Sequence, residues 1–351
     1  MSPSAPVGGR PWLLYALLGA SLAMNLVMAI RWPRARLEVD AAVEAPPAPP
    51  AATDPGVDEP PPEEVAATVS PAPDAALAAS GFRAVQGVVH ENLSRTFQEA
   101  LGDAGPAISA VFSRLFVWDL DVRTDLMKGD TLAALYAVSD SGEIDMPLAI
   151  LHSQKLGKDL KACRFQAPGD AYASWWYPDG TEVPFRLQDG PIDDYIQITE
   201  TLVDRKRHKG WDFKTPVGTP VKTPRAGKVV RENWSFRGNG NCLDIRFDDG
   251  TNAYFLHLSE NLVKPGDRVA AGQVVAKSGN TGRSTAPHLH YQLVRGERVI
   301  DPGDYHGTLR RHLDPSTMPA FQAETARLDA LLEAALALPP ALPQTETSAP
   351  G

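Results

Sequence analysis

Cysteine is nearly missing: the 351 residues hold Cys163 and Cys242 and no others. That excludes a disulfide-rich scaffold and a metal site built from several thiolates. One Cys163–Cys242 bridge is conceivable in an oxidising compartment; two separate buried thiols is the plainer reading. An excess of positive charge is also missing. Lys and Arg number 34 against 43 Asp and Glu, a formal net charge of −9. No basic patch dominates, which speaks against a nucleic-acid partner. No Lys or Arg lies between Arg36 and Arg83, and no internal repeat is visible.

One long hydrophobic run is present, "WLLYALLGASLAMNLVMAI", 12–30, without a charge. It is long enough to cross a bilayer as one helix. The expectation is a membrane anchor at 12–30 behind a cytoplasmic segment at 1–11. A cleaved signal peptide is the alternative, since Val27-Met28-Ala29 loosely fits a small-residue cleavage pattern. Arg31, Arg34 and Arg36 follow the run and only Arg10 precedes it. That bias alone would keep the following flank in the cytoplasm, although long domains translocate largely regardless of it. Residues 31–80 are rich in Pro, Ala and acids, with "APPAPP" and "EPPPEE". Such composition buries no core and reads as a semi-stiff spacer.

Residues 81–195 read as a small α+β domain. "VVHENLSRTFQEALGD" sets Val89, Leu93, Phe97 and Leu101 four apart, one helical stripe. "PAISAVFSRLFVWDLD" opens with Pro106 at a first-turn position. The β-like runs "TLAALYAV", "MPLAILHS", "KACRFQ" and "SWWYPDG" follow. His90 and His152 stand alone here and read as ordinary exposed or packed histidines. Trp175, Trp176 and Tyr177 suit core packing more than a glycan platform.

Residues 196–314 change character: short β-type runs alternate with Gly and Pro, which implies a mainly β domain with antiparallel strands. Asp248–Gly250, "DDG", marks a hairpin turn between two such runs. Residues 315–351 read as a short helix in "FQAETARLDALLEAALAL" and a disordered tail.

Four of the eight histidines fall in three motifs of this β-rich part: "HKGWDF" with His208 and Asp212, "FLHLS" with His257, and "HLH" with His288 and His290. Imidazole and carboxylate are ordinary zinc ligands, and a catalytic site takes three of them with a position left for water. On a strand, His288 and His290 point to the same face. Which of the two would ligate is left open by spacing alone.

The runs "HKGWDFKTPVGTPVKTPRAGKVV", "HLS", "VKPGDRVAAGQVVAKSGNTGRSTAPHLHYQL" and "VIDP" resemble the lysostaphin/LytM-type zinc endopeptidases, over roughly 205–302. "FVWDLDVRTDLMKGDTLAALY" carries a weaker likeness to the N-terminal domain of Gram-negative murein endopeptidases. The resemblance implies that His208, Asp212 and His290 bind one Zn2+ ion. It implies that His257 and His288 stand beside the attacking water and the substrate carbonyl. It makes Arg207, Tyr254, Phe255 and Thr281 substrate-binding candidates. The chain departs from the pattern at Phe255, where relatives often carry Tyr; the neighbouring Tyr254 faces the other way on a strand. The stretch before His208, "QITETLVDRKRHKG", is short. Its brevity would reshape one groove wall and bear on which bond is cut. Arg205, Lys206 and Arg207 there are either a carboxylate contact or a solvated basic turn.

The expected function is a membrane-anchored zinc endopeptidase acting on peptidoglycan cross-links or stems in the bacterial cell envelope, with its catalytic domain in the periplasm. A non-hydrolytic peptidoglycan-binding or amidase-activating module is the alternative, although such relatives typically lose the ligands retained here. A structural zinc domain would fill all four positions with protein.

Overall fold

A computed structural model describes residues 73–202, 204 and 208–337. The hydrophobic run at 12–30, nearly all of the 31–80 spacer, Arg205, Lys206, Arg207 and the tail from 338 lie outside the described residues. Among those described, no helix is long and apolar enough to cross a membrane.

The first half builds a five-stranded antiparallel sheet in sequence order: β1 (Arg83–Val88), β2 (Thr131–Val138), β3 (Ile144–Ser153), β4 (Lys158–Phe165) and β5 (Ser174–Trp176). The β-like runs read from sequence are these strands. Two helices, Leu93–Leu101 and Gly105–Phe116, cover one face through Phe97, Ile108, Phe112 and Phe116. The first starts at Leu93 because Asn92 caps it, Oδ1 accepting Arg95 N–H at 2.9 Å. The second has Pro106 in its first turn.

The other face is covered by the helices Pro73–Ser80 and Met318–Ala337. The last helix is 20 residues long and buries Phe321, Leu328, Leu331 and Leu332 against Leu135, Leu148 and Trp176. The helix expected after Asp314 is therefore part of the core. Burial on both faces explains why β3 reads as a near-continuous apolar run. Trp175 and Trp176 are core residues, their indoles donating to Met146 O at 2.9 Å and Phe165 O at 3.0 Å. Cys163 and Cys242 are both buried and free, so no bridge forms.

The second half holds β6 (Arg186–Leu187), β7 (Gln197–Glu200), β8 (Trp211–Lys214), β9 (Pro220–Lys222), β10 (Gly227–Glu232), β11 (Asn241–Phe247), β12 (Asn252–Leu258), β13 (Glu260–Asn261), β14 (Arg268–Val269), β15 (Val274–Lys277), β16 (His288–Arg295), β17 (Arg298–Ile300) and β18 (Thr308–Leu309). Its main sheet is antiparallel in the order β14-β10-β11-β12-β16-β8-β7, with β17 also on β16. The hairpin expected at Asp248–Gly250 joins β11 to β12, with Phe247 N–H donating to Thr251 O at 2.8 Å. One face of this sheet is the core: Trp211, Phe213, Leu243, Ile245, Phe255, Leu289, Tyr291 and Leu293 are all at most 1% exposed. The opposite face is left open, and the histidines are on it.

Candidate metal centre

Strand register brings the motifs together. β8 pairs with β16 so that Asp212 lies opposite His290, and β12 pairs with β16 so that Leu256 lies opposite His290. Directly paired residues share a face. Asp212, His288 and His290 therefore project away from Leu289 and Tyr291, into the open groove.

His208 reaches the same spot from the loop before β8. Its Nε2 lies 3.1 Å from Asp212 Oδ1 and 3.2 Å from His290 Nδ1, and His290 Nδ1 lies 2.7 Å from Asp212 Oδ1. Two nitrogens and one carboxylate oxygen thus converge on one point, the donor chemistry of a zinc site. The residues behind them fit the same purpose. His208 Nδ1 faces Thr201 O at 3.2 Å, which fixes that nitrogen as the donor and leaves Nε2 with its lone pair. Gly210 lies beneath His290: a Cβ there would sit 3.0 Å from His290 Nε2 and 2.3 Å from Tyr291 O. Burial works to raise the Asp212 pKa, but hydrogen bonding with His208 and His290 outweighs it and holds the carboxyl well below the usual carboxylate range. Burial disfavours the His208 cation, but Asp212 reverses that and raises its pKa.

His257 and His288 form the other half of the cluster, with ring centres 4.8 Å apart. His257 is 6.2 Å from His290, and His288 Nε2 lies 3.9 Å from Asp212 Oδ2. Strict alternation would put His257 on the core side with Phe255. Its backbone is instead left-handed, φ 63, and this turns the ring into the groove. Such a conformation costs a non-glycine residue about 1 kcal/mol, and it persists where surrounding contacts impose it. Here the contact is His257 Nδ1 against Thr281 O at 2.9 Å. His288 Nδ1 likewise meets Ala286 O at 2.8 Å, with Ser284 Oγ at 3.1 Å. Both imidazoles thus carry their neutral-form proton on Nδ1 and keep Nε2 as acceptor. Burial lowers the His257 pKa to about 4, so its ring is neutral near pH 7.

The substrate-binding candidates divide. Tyr254, opposite Gln292, shares the groove face with His290. Phe255 does not: it is fully buried in the core against Tyr291, ring centres 5.2 Å apart, and cannot meet a substrate. Of these two neighbouring aromatics, Tyr254 is the one on the groove side. Thr281 is committed to structure, its Oγ1 donating to Leu258 O at 2.7 Å and accepting Asn241 N–H at 2.9 Å, while its carbonyl holds His257. Arg207 lies outside the described residues. Sequence reading missed the carbonyls of Thr201, Thr281 and Ala286, since a backbone oxygen leaves no residue-type signal. His90 is exposed, and His152 pairs with Asp159 at 2.7 Å, both away from the cluster.

Residues 206–302 match the model of peptidase family M23. The chain is 49% identical to lysostaphin of Staphylococcus simulans over 88 residues, 25% of this chain and 18% of that protein. It is 29% identical to the peptidoglycan DD-endopeptidase ShyA of Vibrio cholerae over 221 residues, 59% of this chain and 50% of that one. Among solved structures, the catalytic domain of lysostaphin from Staphylococcus simulans shares 37% identity over 35% of this chain and 90% of that domain, with a TM-score of 0.28. Residues 206–302 form a peptidase M23 domain, homologous to lysostaphin and of the LytM type. The chain spans half or less of the length of these two curated relatives.

Proposed function

We propose that the chain is a zinc-dependent endopeptidase that hydrolyses peptide cross-links or stem peptides of bacterial peptidoglycan. The observation that carries this is the division of five polar groups on one sheet face. Three donors, His208, Asp212 and His290, lie within 3.2 Å of one another, and two imidazoles stand beside them with Nε2 unengaged. A zinc ion held by those three residues supplies Lewis acidity toward the scissile carbonyl and acidifies water. His257, neutral near pH 7, accepts the water's proton at Nε2. His288, anchored through Nδ1 to Ala286 O, turns Nε2 toward the same space, where a proton taken up from solvent would let it donate to the developing oxyanion. Tyr254 lies one step along the same face and orients the substrate backbone.

The hydrophobic run at 12–30 is proposed as a single inner-membrane anchor, with the peptidase in the periplasm where peptidoglycan lies. The Pro-rich spacer would hold the catalytic part off the membrane. An enzymatic reporter fused after Ile30 tests this; cytoplasmic reporter activity would exclude the orientation.

The decisive experiment incubates the purified chain with peptidoglycan, with and without a chelator, and identifies fragments by mass spectrometry. Chelator-sensitive release of peptide-cleaved fragments is expected, and its loss in His208→Ala. Zinc-loaded protein that cuts no peptide bond would favour a binding or amidase-activating role.

A further inference from the structure

The open sheet face continues beyond the histidines. One same-face step along the strands from Leu256 and His290, register links Gln292, Tyr254, Asp244 and Arg231. A further row runs through Asn252, Arg246, Lys228 and Arg268. The groove floor therefore turns basic as it leaves the cluster, in a chain of formal net charge −9. Acids on or beside it include Asp244, 2% exposed, Asp248, which pairs with Arg268 at 3.2 Å, and Asp249, which pairs with Arg295 at 2.6 Å.

Arg231 is held in an orientation that a loose surface arginine lacks. Its Nε donates to Asp244 Oδ2 at 3.0 Å, and Asn252 Nδ2 donates to Asp244 Oδ1 at 2.7 Å. Its guanidinium carbon lies 4.2 Å from the Trp234 ring centre and 5.6 Å from that of Tyr254. A buried acid thus fixes one edge of the fork and two rings fix its plane. Nη1 and Nη2 make no hydrogen bond among the described residues, and the side chain is 46% exposed. Trp234 is presented by a loop with left-handed backbone at Asn233 (φ 51) and Ser235 (φ 54). That loop is pinned where Asn233 Oδ1 accepts Cys242 N–H at 3.1 Å and Asn239 Nδ2 donates to Trp234 O at 3.1 Å. Strain retained beside a groove and spent on placing one ring is characteristic of ligand-contacting segments.

We propose that Arg231, flanked by Lys228 and Arg246, is a receptor for a side-chain or terminal carboxylate of the peptide substrate. The free edge of the guanidinium offers two parallel N–H groups, the geometry that carboxylates accept bidentately. By strand spacing the Arg231 Cα lies about 16 Å from that of His290, the reach of roughly five extended residues, and its fork leans back toward the cluster over Tyr254. This reading rests on the proposed endopeptidase function for the nature of the ligand, an acidic stem peptide, and it adds which end of the groove takes the charge.

The test uses two stem peptides that differ only in a free or an amidated carboxylate. They are compared as substrates of the zinc-loaded chain and, with chelator present, as ligands by calorimetry. Wild type is expected to favour the free acid by about tenfold or more in both readouts. Arg231→Gln should collapse that ratio toward one, Arg231→Lys should keep part of it, and the double variant Lys228→Gln/Arg246→Gln should reduce it about threefold. Thermal melts of each variant separate loss of the receptor from loss of the fold. A wild-type ratio near one, or an unchanged ratio in Arg231→Gln, overturns the carboxylate site. If wild type cuts neither peptide yet still binds the free acid selectively, the endopeptidase reading falls and the receptor stands.

Discussion

Protonating His306 should unfold this protein more readily, by an amount the structure sets. His306 is 4% exposed, Tyr291 Oη donates to its Nε2 at 2.9 Å, and its Nδ1 is buried without a partner. Burial lowers its pKa from 6.5 to about 4. The folded value lies below the unfolded one, so the unfolded chain takes up the proton first as pH falls. Stability is therefore complete above about pH 7, declines as pH falls through 6.5 toward 4, and is flat below. At roughly 1.4 kcal/mol per pH unit, the loss is about 2 kcal/mol at about pH 5 and about 3 kcal/mol once the window is crossed. His306→Gln isolates it, since an amide still accepts from Tyr291 but does not titrate. Urea denaturation of metal-free wild type and variant, at about pH 8 and about pH 5, gives the comparison. The variant carries a constant repacking penalty at both pH values and should lose about 2 kcal/mol less between them. Equal pH dependence in the two proteins would refute the argument that His306 is buried neutral.

Three further outcomes follow from the site and its supports. His208→Ala should lose both zinc binding and activity, whereas His288→Ala should keep zinc while kcat falls by about 10²-fold or more, checked by metal analysis beside kinetics. Gly240→Ala should destabilise by at least about 2 kcal/mol in calorimetry, because φ is +67 and the new Cβ would meet Thr281 Oγ1 at 2.2 Å. Activity should fall further still, since the displaced Thr281 carbonyl holds His257. Arg114→Met removes the 2.5 Å bond to Asp204, whose carboxylate also accepts from Thr201 N at 2.6 Å and Oγ1 at 2.9 Å. Thr201 O in turn supports His208, so zinc affinity should weaken about tenfold in a competition titration. Unchanged affinity would show that the turn at Thr201 gives the ligand no support.

Much of this architecture is legible in the residues, for reasons that differ by element. β16 announces itself because alternation in "HLHYQLV" separates Leu289, Tyr291 and Leu293 from the two histidines. The β11–β12 hairpin is legible because its turn needs Gly250 at φ 85. His257 defeats the same logic: counting by twos from Phe255 puts it in the core, and only a left-handed backbone brings it out. Phe255 shows the converse, since a position matched by motif to a groove residue is claimed by the core. The helix Met318–Ala337 is readable as a helix, but its partner is not. Its contacts on Leu135, Leu148 and Trp176 are set by the fold over long separations, which local periodicity does not encode. Arg231 was invisible for a similar reason: its meaning lies in Asp244, Trp234 and Tyr254 arriving around it from different strands and loops.

The five-stranded sheet is sealed on one face by two helices that flank the peptidase in the chain, Pro73–Ser80 and Met318–Ala337. Topologically, the peptidase is a handle stitched into that sheet at both ends. A single backbone nick in either stitch leaves both halves joined, and a swing about one hinge is resisted by the other. Release requires peeling away the last helix, which bares Leu135, Leu148 and Trp176 to water. Excising residues 196–314 as a free module leaves that helix on its sheet, and the cost falls on the excised piece, which loses Arg114 beneath its first ligand loop.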